Sequence, residues 1–132
     1  MTVAVAHQVS PTSRPALVQA VQEAKFRATD LAVLHVVESI DPDRQEAYRL
    51  GISDEIEKAV GADAGVAWKL HLATGGPDLA DALLELVAGV GADLLVIGAR
   101  RRSPVGKALL GSVAQAVILE ADLPVLVVKT PR

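Results

Sequence analysis

Cysteine is absent from these 132 residues, which excludes disulfides and thiolate metal sites. Phe26, Tyr48 and Trp68 are the only aromatic residues. That is too few for a surface that stacks single-stranded bases. A large excess of either charge is also missing. The formal net charge of −3 exerts no general pull on polyanions, so nucleic acid is not an expected partner. The first residues, MTVAVAHQVS, lack the basic start and long apolar run of a secretory leader. No stretch approaches the roughly 18 unbroken apolar residues of a membrane span. A cytoplasmic location, with no membrane partner, is the expectation. Catalytic signatures are missing too: there is no G-x-S-x-G elbow and no H-E-x-x-H pair. The spacing from Gly98 to Gly106-Lys107 is too long for a Walker phosphate loop, and no glycine follows the first strand.

What remains is aliphatic and strongly patterned. Apolar residues make up 51% of the chain, enough for the core of one domain over residues 1–132. A short apolar run at 3–6 reads as a strand that ends at His7-Gln8. Leu17, Ala20, Val21, Ala24 and Ala28 then recur at helical spacing, with Pro15 in the first turn. Residues 31–37, LAVLHVV, read as a strand buried on both faces. Asp41-Pro42 opens a second helix whose face is Ile52, Ile56, Ala59 and Val60. Residues 66–72 alternate in polarity, as an edge strand does. Pro77 is expected to begin a third helix, with Leu79, Leu83, Leu86, Val87 and Val90 inward and Gly91 at its end. Strand four is expected at 94–97, a loop from Gly98, a helix opening at Gly111-Ser112, and a last strand at 124–128.

Strands alternating with helices imply right-handed crossovers and a parallel sheet covered on both faces. In such sheets ligands bind at the carboxyl ends of strands where strand order reverses. The loops after strands one and four are therefore the candidate site. The first presents His7, Gln8 and 10–13, Ser-Pro-Thr-Ser. The second carries Gly98, then Arg100, Arg101, Arg102 and Lys107, and delivers the chain to a helix start at Gly111, Ser112 and Val113. The first N–H groups of a helix lack internal partners, and its dipole favours an anion there. Arginine beside them suits bidentate phosphate pairing. Ser112 is expected to cap this helix. His35 lies within an apolar strand and reads as a core histidine, whereas His7 sits at the ligand end of its strand.

Gly98 followed by Gly111-Ser112, within GADLLVIG…LLGSVAQAVILEADLPVLVV, together with LHVVE after strand two, resembles the universal stress protein family. The resemblance spans the chain. It implies a single Rossmann-like α/β domain, related to the adenine nucleotide alpha hydrolases, with a five-stranded parallel sheet in order 3-2-1-4-5. It also implies a stress-response role and adenine nucleotide, ATP or AMP, held between the loops after strands one and four. The backbone of Val36 would look toward the adenine. Mg²⁺ would accompany ATP only, bridging its phosphates with few protein ligands. In the nucleotide-binding pattern G-x2-G-x9-G-[S/T], the second glycine falls on Arg101, and an aspartate ending strand one falls on Gln8. These two departures support an alternative in which the protein binds no nucleotide and acts through protein–protein contacts. The resemblance further implies a homodimer, for which the apolar edge of strand five is the sensible place. An enzyme is not expected; slow ATP hydrolysis is the third reading, and no base for it is identifiable.

Overall fold

The computed structural model describes residues 1–8, 13–61, 65–102, 107–109 and 111–130, with the backbone alone at 101–102 and 107–109. The segment 10–12 of the first candidate loop, and Gly106 of the second, lie outside these. The described residues form the five expected strands alternating with four α-helices, and one further short strand, β5, that directly follows β4: β1 (Thr2–His7), α1 (Ser13–Phe26), β2 (Asp30–Val37), a 3-10 turn at Pro42–Arg44, α2 (Gln45–Val60), β3 (Trp68–Thr74), α3 (Leu79–Val90), β4 (Leu94–Arg102), β5 (Lys107–Leu109), α4 (Ser112–Glu120) and β6 (Val125–Lys129). Five strands form a parallel sheet in which β3, β2, β1, β4 and β6 lie side by side. With β6 as the fifth parallel strand, this is the expected order 3-2-1-4-5. Order reverses at β1, which lies between β2 and β4.

The two faces of the sheet hold two cores. Val3, Val5, Leu31, Val33 and Val96 face α1 and α2, where Leu17, Ala20, Ile52 and Ile56 cover them. Ala4, Ala32, Leu34, Leu95 and Ile97 face α3 and α4, against Leu83, Val87 and Val117. Full burial of each valine, leucine or isoleucine among them stabilises the fold by about 1.5–3 kcal/mol. Among the described residues β6 pairs only with β4, so its outer edge has no strand beside it. No helix among the described residues is long and apolar enough to cross a membrane.

Several boundaries differ from the sequence pattern. Ala28 lies beyond α1, in a turn where it takes φ 53°. β3 is shifted to Trp68–Thr74, because seven consecutive residues of β2 pair with it through Thr74. Pro77 precedes α3; Asp78 caps that helix, its side chain accepting the Asp81 N–H at 3.1 Å. The largest difference is β4. Gly98 does not end it, since Gly98 and Ala99 pair with Val128 and Lys129 of β6. Arg100, Arg101 and Arg102 then pair antiparallel with Leu109, Ala108 and Lys107. Ladder hydrogen bonds from two partner strands outweigh the local turn preference of one glycine.

Candidate functional site

The carboxyl ends of β1, β2 and β4 open into a cleft of about 720 Å³ between the sheet and α4. It gathers segments remote in sequence: Gln8 after β1, Val36 to Glu38 at the end of β2, Gly98 and Arg100 on β4, and Gly111 to Ala114 at the start of α4. These are the two loops that the topological argument singled out, now joined by the end of β2.

The α4 end has the properties of an anion site. Gly111 takes φ −67° and ψ 164°, and its carbonyl accepts the first helical hydrogen bond from Gln115 N at 3.0 Å. Gly111, not Ser112, therefore occupies the cap position, and among the described residues no side chain caps this helix end. Ser112 is the first helical residue and is exposed. The N–H groups of Ser112, Val113 and Ala114 lack partners within the helix by geometry, and all three residues line the cleft. A Cβ built on Gly111 meets no heavy atom within 4 Å. Arg100 is exposed on the same wall. Arg101 lines up with Ala108 in the β4–β5 ladder. Extended strand is a conformation any residue adopts, so this position places no demand for glycine on the backbone.

At the β1 end, Gln8 is fixed by Ser13, the last residue of the first candidate loop, to which the sequence reading gave no individual role. The Ser13 hydroxyl accepts the Gln8 N–H at 2.8 Å and donates to the Gln8 carbonyl. Ser13 is buried at the first position of α1 and lines the cleft. Its signal was a serine at a helix start, a residue type that commonly bonds nearby backbone.

His7 is displaced from its expected role. It is not among the residues lining the main cleft, and lines a side pocket of about 20 Å³ near Val113. Alternation along β1 turns its ring to the face that carries Val3 and Val5, where it is 3% exposed. There it meets His35, its register partner on β2. The two Nδ1 atoms are 2.9 Å apart, His35 Nε2 is 2.7 Å from the Tyr48 hydroxyl, and His7 Nε2 is 3.8 Å from Glu55 Oε1. His35 is the core histidine expected, but it and Tyr48 also line the cleft. Burial pushes both histidines toward the neutral form. His35, with His7 beside it as a second cause, is held at about 4. Two histidines 28 positions apart gave no linear signal of this pairing.

Beneath the β2 end, Gly75 approaches closely. A Cβ there would lie 2.6 Å from the Ala82 Cβ and 3.4 Å from Val36 Cγ1. Gly75 N and Gly76 N bond the carbonyls of Val37 and Glu38 at 2.9 and 3.0 Å. These bonds hold the β2 wall of the cleft in place. No group of three metal-ligating side chains occurs among the described residues.

Known proteins share this architecture. A universal stress protein of Mycolicibacterium smegmatis is 38% identical over 127 residues, covering 96% of each chain. The solved structure of the universal stress protein from Archaeoglobus fulgidus in complex with dAMP is 28% identical, covers 98% of each chain and superposes with a TM-score of 0.72. A universal stress protein solved in complex with cAMP is 31% identical, with a TM-score of 0.70 over 99% of this chain and 98% of that one. The sequence model of the universal stress protein family itself matches residues 1–129. With that match across nearly its whole length, the chain belongs to the universal stress protein family.

Proposed function

We propose that this protein is a small regulatory module that binds an adenine nucleotide, AMP or ATP, in the cleft at the carboxyl end of its sheet. The observation that carries this reading is the start of α4, where the cap residue is a glycine with no side chain to bond the first N–H groups, and where Gly111, Ser112 and Val113 open into the same 720 Å³ space as Gln8, Val36, Gly98 and Arg100. Free N–H groups and an exposed arginine suit phosphates. The base and sugar then extend along the ends of β1 and β2. Gln8 is neutral, and Glu38 supplies a carboxylate acceptor on the same wall for a ribose hydroxyl. Structures of relatives in complex with dAMP and cAMP support the ligand class. Arg101 and its neighbours Arg100 and Arg102 add local positive charge, and the extended backbone of Arg101 in the β4–β5 ladder is compatible with a residue other than glycine.

The role is one of binding in a stress response rather than of catalysis, in the cytoplasm, as a homodimer joined through the free edge of β6. Mg²⁺ accompanies ATP only. The test is to denature the purified protein, chromatograph what it releases, and titrate AMP and ATP calorimetrically. Retained nucleotide, or a micromolar to sub-millimolar Kd, supports the reading. No released nucleotide and no heat up to millimolar ligand refute it in favour of a nucleotide-free dimer acting through protein contacts. Sedimentation of the same sample reports the dimer, and phosphate release from ATP reports any hydrolysis.

A further inference from the structure

The chain Glu55–His7–His35–Tyr48, its two rings buried and Glu55 exposed at its outer end, has a direction, and that direction sets what Tyr48 offers to the cleft. Glu55 lies on α2 and presents a carboxylate oxygen 3.8 Å from His7 Nε2. That distance is too long for a hydrogen bond, and the carboxylate acts through its charge, which favours the His7 tautomer that turns an N–H toward it, with the proton on Nε2. Its Nδ1 is then a lone pair, and across 2.9 Å His35 Nδ1 must be the donor. A neutral His35 with Nδ1–H has a bare Nε2. At 2.7 Å that nitrogen accepts the Tyr48 hydroxyl proton. Burial disfavours the charged form of both rings, in the direction this chain requires. The Tyr48 hydroxyl is thus committed as a donor to His35, and its oxygen lone pairs are what it presents at the cleft wall that Tyr48 and His35 share.

β2 and β4 flank β1 on opposite sides. With phosphates at the β4–α4 end, the base lies at the β2 end, where Tyr48 stands. Resting on the nucleotide reading above, we propose that Tyr48 is a specificity residue of this cleft. Its acceptor selects a base bearing an exocyclic amine over one bearing a carbonyl at the same position. His35 and His7 act as positioning residues that fix this polarity. A carbonyl-bearing base would force the hydroxyl to turn away from His35 and leave a buried ring nitrogen without its partner.

The test compares AMP with IMP, which differ in this group, by calorimetry on the wild type and on Tyr48→Phe, with ¹⁵N NMR of the histidine rings in the unliganded wild type. Expected are a preference for AMP on the order of tenfold in the wild type, its collapse to within about twofold in Tyr48→Phe, and rings protonated on Nδ1 in His35 and Nε2 in His7. Equal wild-type binding of AMP and IMP, or a preference that survives in Tyr48→Phe, overturns the proposal while leaving nucleotide binding intact. A His35 ring protonated on Nε2 overturns it without any ligand, and remains readable if Tyr48→Phe does not fold. Absence of binding by both nucleotides overturns the functional reading itself, and this proposal with it.

Discussion

Replacing Gly111 by aspartate is expected to move stability and ligand binding in opposite directions. Gly111 holds the cap position of α4 at φ −67° and ψ 164°, extended backbone that an aspartate adopts without strain. Its Cβ would enter open space, with no heavy atom within 4 Å. An aspartate there accepts an orphan N–H of the first turn, worth a few tenths of a kcal/mol over glycine, and complements the helix dipole for about 0.3–1 kcal/mol more. The sum is about 1 kcal/mol, or a rise in Tm of about 4 °C for a chain of this size. The same carboxylate stands where the phosphate is placed. At about 4 Å the repulsion runs from about 1 kcal/mol in water to about 4 kcal/mol at an effective dielectric near 20. A Kd for AMP weakened roughly 30- to 100-fold is the central expectation. Gly111→Asn is the control: it caps without the charge and should bind within a few-fold of wild type. Urea denaturation and calorimetry at low ionic strength measure both effects. Unchanged AMP affinity in Gly111→Asp would refute the placement of phosphate at α4, and a lowered Tm would refute the cap geometry.

Further expectations concern stability. His35 titrates at about 4 in the folded protein, against 6.5 when free, because burial and then His7 disfavour its charged form. The unfolded chain binds more protons between those values, so stability present above pH 6.5 is lost as pH falls toward 4, by roughly 2 kcal/mol at pH 5. Urea midpoints that agree between pH 7.5 and pH 5 would contradict this. Gly75→Ala places a Cβ 2.6 Å from the Ala82 Cβ and 3.1 Å from the Asp78 carbonyl oxygen, and is expected to cost about 1–3 kcal/mol; a Tm within one degree of wild type would show that the β2 wall yields freely. Ala28→Gly relieves a left-handed alanine at φ 53° and should stabilise by about 0.5–1 kcal/mol after the glycine entropy cost. Destabilisation by that substitution would mean the turn draws its stability from the Ala28 methyl group.

Most of the fold was legible along the chain because burial imposes a period. LAVLHVV and LLVIG announce strands covered on both faces, and Leu83 and Val87 sit one turn apart on α3 as their spacing requires. Errors gathered where one residue carried the signal. Pro77 and Gly98 are punctuation in isolation, yet Asp78 provides the actual cap and β6 extends β4 past its glycine. The cleft was half legible. Gly98, Gly111, Ser112 and Val113 stand in one recognisable spacing, while Ser13, His35, Glu38 and Tyr48 enter the wall through strand register and helix packing.

The amino-acid sequence alone determined the alternation of strands and helices, the aliphatic character of the core and the helix start beside Arg100, because periodicity, composition and helix-end chemistry are local properties. Only the tertiary structure decided that Gly111 holds the cap position of α4, that Arg101 lies in a strand, and that His7 turns from the cleft to join His35, Tyr48 and Glu55. Those outcomes depend on which backbone lies 5 Å away across a sheet or against a helix face. A chain specifies such proximity only through the fold as a whole.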